Sequence, residues 1–227
     1  DTFRFRVGRH PERGLIDEEH VLEGSLGNLD MGDPATLTEF IRVTVDEYPA
    51  RRYALFLWNH GGGWTGGFQD ETSGSELHLR QIRDAVRDAG IHLDLMDFDA
   101  CLMGQYEVAG ELYDTVDVMV ASEHLEPGYG NPYDTLLQAL VERPDLSSAE
   151  FGAAIVDAFG EFYTDVPWQS ATKSAVDLRR FSDLHRDVSA LARALSPAMF
   201  RNRRAVLDAI GPKDKPVPPV NVVGDFG

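Results

Sequence analysis

The chain has very little cysteine: Cys101 is the only one in 227 residues. A disulfide framework within the chain is therefore excluded, and so is a metal site built on several thiolates. No apolar run approaches the ~18 residues that a membrane-spanning helix needs. The N-terminal segment is charged and alternating, unlike a signal peptide. Because the chain opens on Asp1 rather than methionine, we expect it to be a fragment of a longer protein.

Basic residues are also scarce. The chain has 21 Lys and Arg against 38 Asp and Glu, a formal net charge of −17, and its only lysines are Lys173, Lys213 and Lys215. Nucleic acids and anionic membranes bind clustered basic surfaces, so neither is an expected partner. The negative electrostatic potential of an acidic protein instead attracts cationic substrates. The hydrophobic content of 43% is too high for a disordered acidic chain, so a folded domain is expected.

Apolar runs and helical periodicity alternate along the chain. We predict strands at 2–7, 53–59, 93–98, 116–122, 172–178 and 220–223. Helices are predicted at 34–48, 77–89 and 105–113. Two further helices begin at 131 and 147, and helices follow the strand at 172–178 up to about residue 210. The run at 53–59 is continuously apolar, which is typical of a parallel strand buried on both faces, and 93–98 and 116–122 are predicted as two further buried strands. Strands that alternate with helices predict an α/β fold with a mostly parallel central sheet, formed by one domain over residues 1–227.

Two short motifs directly follow buried strands. His60-Gly61 comes after the run at 53–59, and Asp99-Ala100-Cys101 ends the run at 93–98. In open α/β sheets, active sites gather at the carboxyl ends of the strands, so neighbouring strands would bring these residues to one edge. A thiol attacks as thiolate, which a nearby imidazole favours. The N–H groups of Gly61 and Cys101 could hold an oxyanion. The pattern predicts Cys101 as nucleophile and His60 as its general base.

The segments YALFLWNHGGGW and LDLMDFDACLMGQYEVAGEL resemble the clostripain family of cysteine peptidases, a branch of the caspase-like clan. The resemblance extends to LDMGDPATLTEFI, SEHLEPGYG and SAVDL, so it covers most of the chain. It implies a caspase-like α/β/α sandwich, a Cys-His dyad of Cys101 and His60, Gly61 in the oxyanion hole, and cleavage of peptides after Arg or Lys. It also favours a secreted bacterial enzyme over an intracellular one. No cofactor is expected: some relatives require calcium, but the chain has no recognisable calcium-loop motif.

Relatives recognise the residue before the scissile bond with acidic residues. Asp99 matches one of them by resemblance. A partly desolvated carboxylate favours a guanidinium through paired hydrogen bonds, so this residue type suits the recognition of Arg. The alternative role for Asp99 is to cap the following helix turn. Many relatives have an acidic residue where this chain has Tyr129, which could instead stack on a cationic side chain. Asp99 and Tyr129 are therefore the predicted substrate-binding residues.

The loop between the two motifs departs from the family pattern. Relatives cut themselves there after a basic residue, whereas residues 61–79 contain no Lys or Arg. We therefore do not expect self-cleavage in this loop. Its segment 67–76 is rich in glycine and polar residues and is expected to be the most mobile part of the chain.

Three other functions are open from the residues. A serine esterase would explain His60 followed by three glycines, but no G-x-S-x-G elbow follows a strand. A magnesium-dependent phosphohydrolase could use Asp97 and Asp99, since both lie on one side of a strand end, but it leaves His60 unused. A catalytically inactive caspase-like binding module would keep the fold without turnover. The expected partner is a peptide or protein substrate, and the oligomeric state is not predicted. Glu126, in the loop after the strand at 116–122, is interpreted as a solvated charge.

Overall fold

The structure is a computed structural model that describes residues 1–9, 16–21, 24–164 and 171–210. Contacts between residues divide the chain into two units, Asp1–Leu178 and Arg179–Gly227. The strand predicted at 220–223 lies outside the described residues. That residues 1–227 form a single domain stays a prediction.

Strands and helices alternate through most of the first unit. In chain order, its elements are β1 (Phe5–Arg9), β2 (Ile16–Val21), α1 (Pro34–Glu47), β3 (Ala54–Trp58), β4 (Gly67–Gln69), β5 (Glu76–Leu77), α2 (Leu79–Asp88), β6 (Leu93–Asp99), α3 (Tyr106–Leu112), β7 (Val116–Ala121), α4 (Tyr133–Glu142), α5 (Ser148–Thr164) and β8 (Ser174–Asp177). Most bounds lie within about two residues of those expected from the sequence.

The central sheet has the strand order β3-β6-β7-β8. The first three strands are parallel, and β8 pairs with β7 in the antiparallel direction. The strands β6 and β7 are buried on both faces, which is the usual pattern for strands at the centre of a parallel sheet. The mostly parallel sheet expected from the sequence is therefore confirmed.

Alternate residues of the central strands fill two separate layers. Leu95, Val118 and Val120 pack with Phe151 and Ile155 of the helix α5 in one core cluster. The residues between them point to the opposite face, because side chains alternate along a strand. Met96 and Met119 belong to this second layer and are also fully buried.

Polar side chains cap the starts of two helices, α1 and α5. The Asp33 carboxylate accepts the Ala35 N–H at 2.9 Å at the start of α1. Ahead of α5, the Glu150 carboxylate accepts the Ser147 N–H at 2.8 Å, and the Ser147 hydroxyl accepts the Glu150 N–H at 3.3 Å. These reciprocal bonds form a capping box and satisfy backbone donors that a helix start otherwise leaves unpaired.

The segment expected to be a mobile loop instead forms a small hairpin of β4 and β5. Its turn is tied to the segment before α1, since the Asp70 carboxylate accepts the Met31 N–H at 2.8 Å and Asp30 accepts the Ser73 hydroxyl at 2.9 Å. Hydrogen bonds, the one from Ser75 above all, hold the pKa of Asp30 below its usual value. Two aspartates thus fasten this glycine-rich segment to the rest of the unit.

The second unit is described from Arg179 to Ile210. This described part is almost entirely α6 (Phe181–Ile210), which has a kink at Asn202, where φ is −138° and ψ is 43°. Within the described ranges, no helix combines the length and apolar character required to cross a membrane.

Candidate active site

The two motifs lie side by side because their strands are neighbours in register. β3 and β6 are parallel, with Trp58 opposite Asp99. The ladder continues one step further, where the Asn59 N–H donates to the Asp99 carbonyl at 3.4 Å. His60 and Cys101 each come two residues after the pair of Trp58 and Asp99. Both therefore leave the sheet at the same carboxyl edge, as the sequence predicted.

Gly61 packs directly against the backbone of the second motif. A Cβ atom placed on Gly61 would collide with the Cys101 carbonyl oxygen and would lie 3.0 Å from the Ala100 Cβ. Gly61 also forms an antiparallel bridge with Gly67. The bonds of this bridge run from the Phe68 N–H to the His60 carbonyl and from the Gly62 N–H to the Gly66 carbonyl. In such a bridge the central residues direct their own N–H groups outward, so the Gly61 amide points away from the hairpin.

A second contact joins the glycine loop to the start of α3. The Trp64 N–H donates to the Gln105 side-chain oxygen at 3.3 Å. Gly63 has φ +66°, and a Cβ there would lie 2.5 Å from the same amide group. The positive φ favours glycine at this position, because a residue with a Cβ atom would be strained there.

The chain turns sharply after Cys101. Leu102 has φ 64°, in the left-handed region, which costs a non-glycine residue ~1–2 kcal/mol. Its N–H donates to the His124 carbonyl at 3.0 Å, and the Gly104 N–H donates to the Ser122 carbonyl at 2.7 Å. Hydrogen bonds to the segment after β7 thus hold the turn, and strained backbone of this kind is typical of functional sites.

The Cys101 side chain is partly exposed and faces the loop of residues 123–130. The Glu126 N–H donates to the Cys101 sulfur at 3.3 Å. The Cys101 sulfur also lies 3.9 Å from the Glu126 carbonyl oxygen, to which the thiol can donate, so both backbone polar groups of Glu126 face the sulfur.

His60 has an exposed side chain on the other side of the site. Its N–H donates to the Asn59 side-chain oxygen at 2.6 Å, which fixes the backbone rather than the ring. The described contacts of His60 include no hydrogen bond between its imidazole and the Cys101 sulfur. Catalytic hydrogen bonds often shorten only when substrate binds, so the dyad stays a prediction.

Asp97 and Asp99 lie beneath the nucleophile, and both are buried. Asp99 accepts the Asn131 N–H at 3.0 Å and the Tyr133 hydroxyl at 2.9 Å, so it holds the start of α4 rather than the turn after Cys101. Asp97 accepts the Asn131 side-chain amide at 2.7 Å. Gly130, with φ +65°, lets the loop approach closely, since a Cβ there would lie 2.6 Å from an Asp99 oxygen.

A buried lysine sits among these carboxylates. The Lys173 ammonium, with its side chain only 1% exposed, lies 2.8 Å from Glu126 Oε1 and 3.5 Å from Asp97 Oδ1. It also donates to the Phe98 carbonyl at 2.9 Å. Sequence reasoning missed this contact and interpreted Glu126 as a solvated charge, yet the Glu126 side chain is only 4% exposed. The scarcity of lysine was the one available signal.

The buried carboxyl groups outnumber the cation beside them, and burial shifts their titration. Desolvation raises the pKa of Glu126 to about 8 and that of Asp97 to about 6, although Lys173 opposes both shifts. Burial, together with the charge of Asp99, also raises the pKa of Tyr133. Three buried acceptor atoms have no hydrogen-bond donor among the described residues: Asp97 Oδ1, Glu126 Oε2 and Asn131 Oδ1. The cluster therefore has capacity for further hydrogen-bond donors.

Tyr129, the other predicted substrate-binding residue, is 74% exposed at the tip of the loop that carries Glu126. Its backbone neighbour Gly130 accepts the Tyr163 hydroxyl at 2.7 Å. The exposed ring is thus held on an anchored loop, although the structure alone assigns it no ligand.

Comparison with known proteins identifies the chain. The clostripain family model, peptidase family C11, matches residues 8–212. The chain belongs to the clostripain family of cysteine peptidases. Clostripain from Hathewaya histolytica is similar to it, with 32% identity over 131 residues that cover 49% of this chain and 25% of the relative.

Solved structures of family members share the fold. A secreted C11 cysteine protease from Bacteroides thetaiotaomicron, solved with an irreversible peptide inhibitor, has 22% identity and a TM-score of 0.67 over 79% of this chain and 53% of that chain. An inactive zymogen C11 protease from Parabacteroides distasonis has 27% identity and a TM-score of 0.60 over 79% of this chain and 49% of that chain. The predicted family and caspase-like fold class are confirmed, and this clostripain-family chain spans about half of these solved chains.

Proposed function

We propose that this clostripain-family chain is a cysteine endopeptidase in which Cys101 is the nucleophile and His60 the general base. One observation carries the proposal: the two motifs leave adjacent parallel strands in register, and Gly61 packs on the backbone of Cys101. A lone thiol is by default a small buried hydrophobe. Here it is partly exposed beside a backbone donor, at the edge of the sheet where active sites form.

The proposed mechanism uses backbone and side-chain groups of this edge. The Cys101 thiolate attacks the scissile carbonyl carbon, and the Gly61 and Cys101 amides stabilise the resulting oxyanion. Protonated His60 gives its proton to the leaving amine as the C–N bond breaks. Neutral His60 then takes a proton from water, which attacks the acyl-enzyme and releases Cys101. Within the described residues, no group of three or more His, Cys, Asp or Glu is arranged to hold a metal ion, so no step is assigned to calcium.

The acidic cluster supports a preference for Arg or Lys before the scissile bond. Asp97 and Glu126 face the Lys173 ammonium, Asp99 lies in the same cluster, and three buried acceptor atoms lack donors among the described residues. A guanidinium carries five N–H donors and a permanent charge, so it matches what the cluster lacks. Tyr129, exposed on the adjoining loop, is placed to stack on the stem or head of such a side chain.

The specificity proposal predicts the behaviour of Asp99→Asn. In a fluorogenic peptide panel that varies only the residue before the cut, wild type should prefer Arg and Lys. The variant should lose roughly 10- to 150-fold in kcat/KM for the Arg peptide, the value of a charge-assisted hydrogen bond. Asp117→Asn, which removes a carboxylate paired with His92 on the protein surface, is the matched control and should keep wild-type kinetics. An unchanged Arg preference in Asp99→Asn would remove Asp99 from substrate recognition.

The alternative functions receive less support from the geometry. A magnesium-dependent phosphohydrolase would leave His60 and the glycine loop without a role, although both lie at the same edge of the sheet as Cys101. An inactive binding module would not need the strained turn after the nucleophile or a donor aimed at its sulfur. Secretion and a peptide substrate complete the proposal as expectations for the full-length protein.

A further inference from the structure

The N–H group that faces the nucleophile belongs to a residue whose side chain is anchored elsewhere. Glu126 donates its N–H to the Cys101 sulfur at 3.3 Å, while its carboxyl group points into the buried cluster. Glu126 lies on the loop that follows β7, and Cys101 follows β6. The position of this donor therefore depends on what holds the loop against the end of β6.

Lys173 provides that anchor. Its ammonium donates to Glu126 Oε1 at 2.8 Å and to the carbonyl of Phe98 in β6 at 2.9 Å. It also lies 5.3 Å from the centre of the Phe159 ring on α5. One lysine thus binds the loop that carries the donor and the strand that carries the nucleophile, and it does so immediately before β8.

Stability alone is a poor explanation for this arrangement. Burying a lysine and a glutamate carries a large desolvation cost, and well-packed apolar residues often replace such a pair at no loss of stability. What apolar side chains cannot supply is a directional bond that fixes one backbone position relative to another. Such a bond matters most where a donor must stay within reach of a sulfur atom.

We propose that Lys173 and Glu126 are positioning residues, which hold the Glu126 N–H against the Cys101 sulfur and so stabilise the thiolate. The inference rests on the proposed role of Cys101 as nucleophile. Neither side chain touches the scissile bond in this proposal. Both act through one backbone amide.

For Glu126→Ala, an effect of charge and a loss of positioning would change the stability of the Cys101 thiolate in different directions. The titratable groups of the cluster around Glu126 are Asp97 and Asp99 from β6, Lys173 before β8, Tyr133 from α4, Tyr163 from α5 and Tyr129 from the same loop, and His60 follows β3 at the same edge of the sheet. Removing the Glu126 carboxyl takes away an acidic group, which by charge alone leaves the thiolate unchanged or favours it. Losing the anchor instead releases the amide and disfavours the thiolate. Glu126→Ala separates the two explanations.

The test is the pH dependence of alkylation by iodoacetamide. Cys101 is the only cysteine in the sequence, so the alkylation rate reports on this thiol alone. In Glu126→Ala the midpoint of the rate profile should move up by about one pH unit, which lowers the rate below the midpoint by about tenfold. Glu126→Gln keeps an oxygen that can accept the Lys173 bond, and its midpoint should not rise. Lys173→Met should behave like Glu126→Ala.

Controls separate positioning from general damage. Glu111→Ala breaks the partly buried contact with Arg83 elsewhere in the unit and should leave the alkylation midpoint unchanged. Thermal unfolding followed by circular dichroism establishes that each variant is folded; if Lys173→Met fails to fold, the Glu126→Ala and Glu126→Gln pair still decides. A midpoint that is unchanged or lower in folded Glu126→Ala overturns the proposal. Alkylation requires no turnover, so a wild type that cleaves no peptide would contradict the proposed function without obscuring this result.

Discussion

Replacing His60 by alanine is expected to lower kcat/KM for an Arg-containing peptide by roughly 10²- to 10⁴-fold, the usual contribution of a general acid–base group. The loss follows because the proposed mechanism assigns both proton transfers to His60, which follows β3, the strand adjacent to the one that ends at Asp99. The side chain of His60 is exposed, and its N–H rather than its ring bonds the Asn59 side chain, so the variant should fold normally. Steady-state kinetics with the fluorogenic panel measure the effect.

The control for His60→Ala is His92→Ala. His92 also carries a partly exposed imidazole, but it pairs with Asp117 on the protein surface. It should retain wild-type kcat/KM. If His60→Ala kept more than about a tenth of the wild-type value, well above the range for a general base, the dyad would be wrong.

Replacing Gly61 by alanine is the second substitution with a large expected effect. The added methyl group would collide with the Cys101 carbonyl and press on Ala100 and Met103. Two backbones that now touch would have to separate, and the proposed oxyanion donor would move with them. We expect a loss of roughly 10²- to 10³-fold in kcat/KM, as for removal of one oxyanion donor, and a stability loss of ~1–3 kcal/mol from overpacking.

Gly160→Ala is the matched control for this substitution. Gly160 lies within α5, and a Cβ there meets no atom within 4 Å. Alanine should stabilise this helix by up to ~1 kcal/mol and leave catalysis unchanged. Urea unfolding together with kcat/KM tests both variants. Wild-type values of both quantities in Gly61→Ala would show that the close approach has no role.

The position of the site could be predicted from the sequence because it depends on local patterns. Each motif follows a long apolar run, and such runs predict buried parallel strands whose carboxyl ends meet. The start of α1 at Pro34 could be predicted for the same reason, because two adjacent residues determine it: Asp33 supplies the cap and Pro34 is the first helical residue. Short-range chemistry therefore fixed which residues stand at the edge of the sheet.

The environment beneath the nucleophile could not be predicted in the same way. Lys173 and Glu126 are 47 residues apart, and only the antiparallel addition of β8 to β7 brings them together. Asp99 accepts the Asn131 N–H just before α4, across 32 residues of sequence, whereas sequence proximity suggested the turn beside it. The β4–β5 hairpin also escaped prediction, because its strands are very short and glycine-rich and depend on tertiary hydrogen bonds.

The most direct test of the proposed function compares wild type with Cys101→Ala on one fluorogenic peptide that carries Arg before the cut. Both proteins should be purified side by side and assayed at equal concentration, with circular dichroism to establish equal folding. Wild type should cleave the peptide after Arg, and Cys101→Ala should show only the rate of peptide in buffer. Equal cleavage by the two proteins would contradict the assignment of Cys101 as the nucleophile.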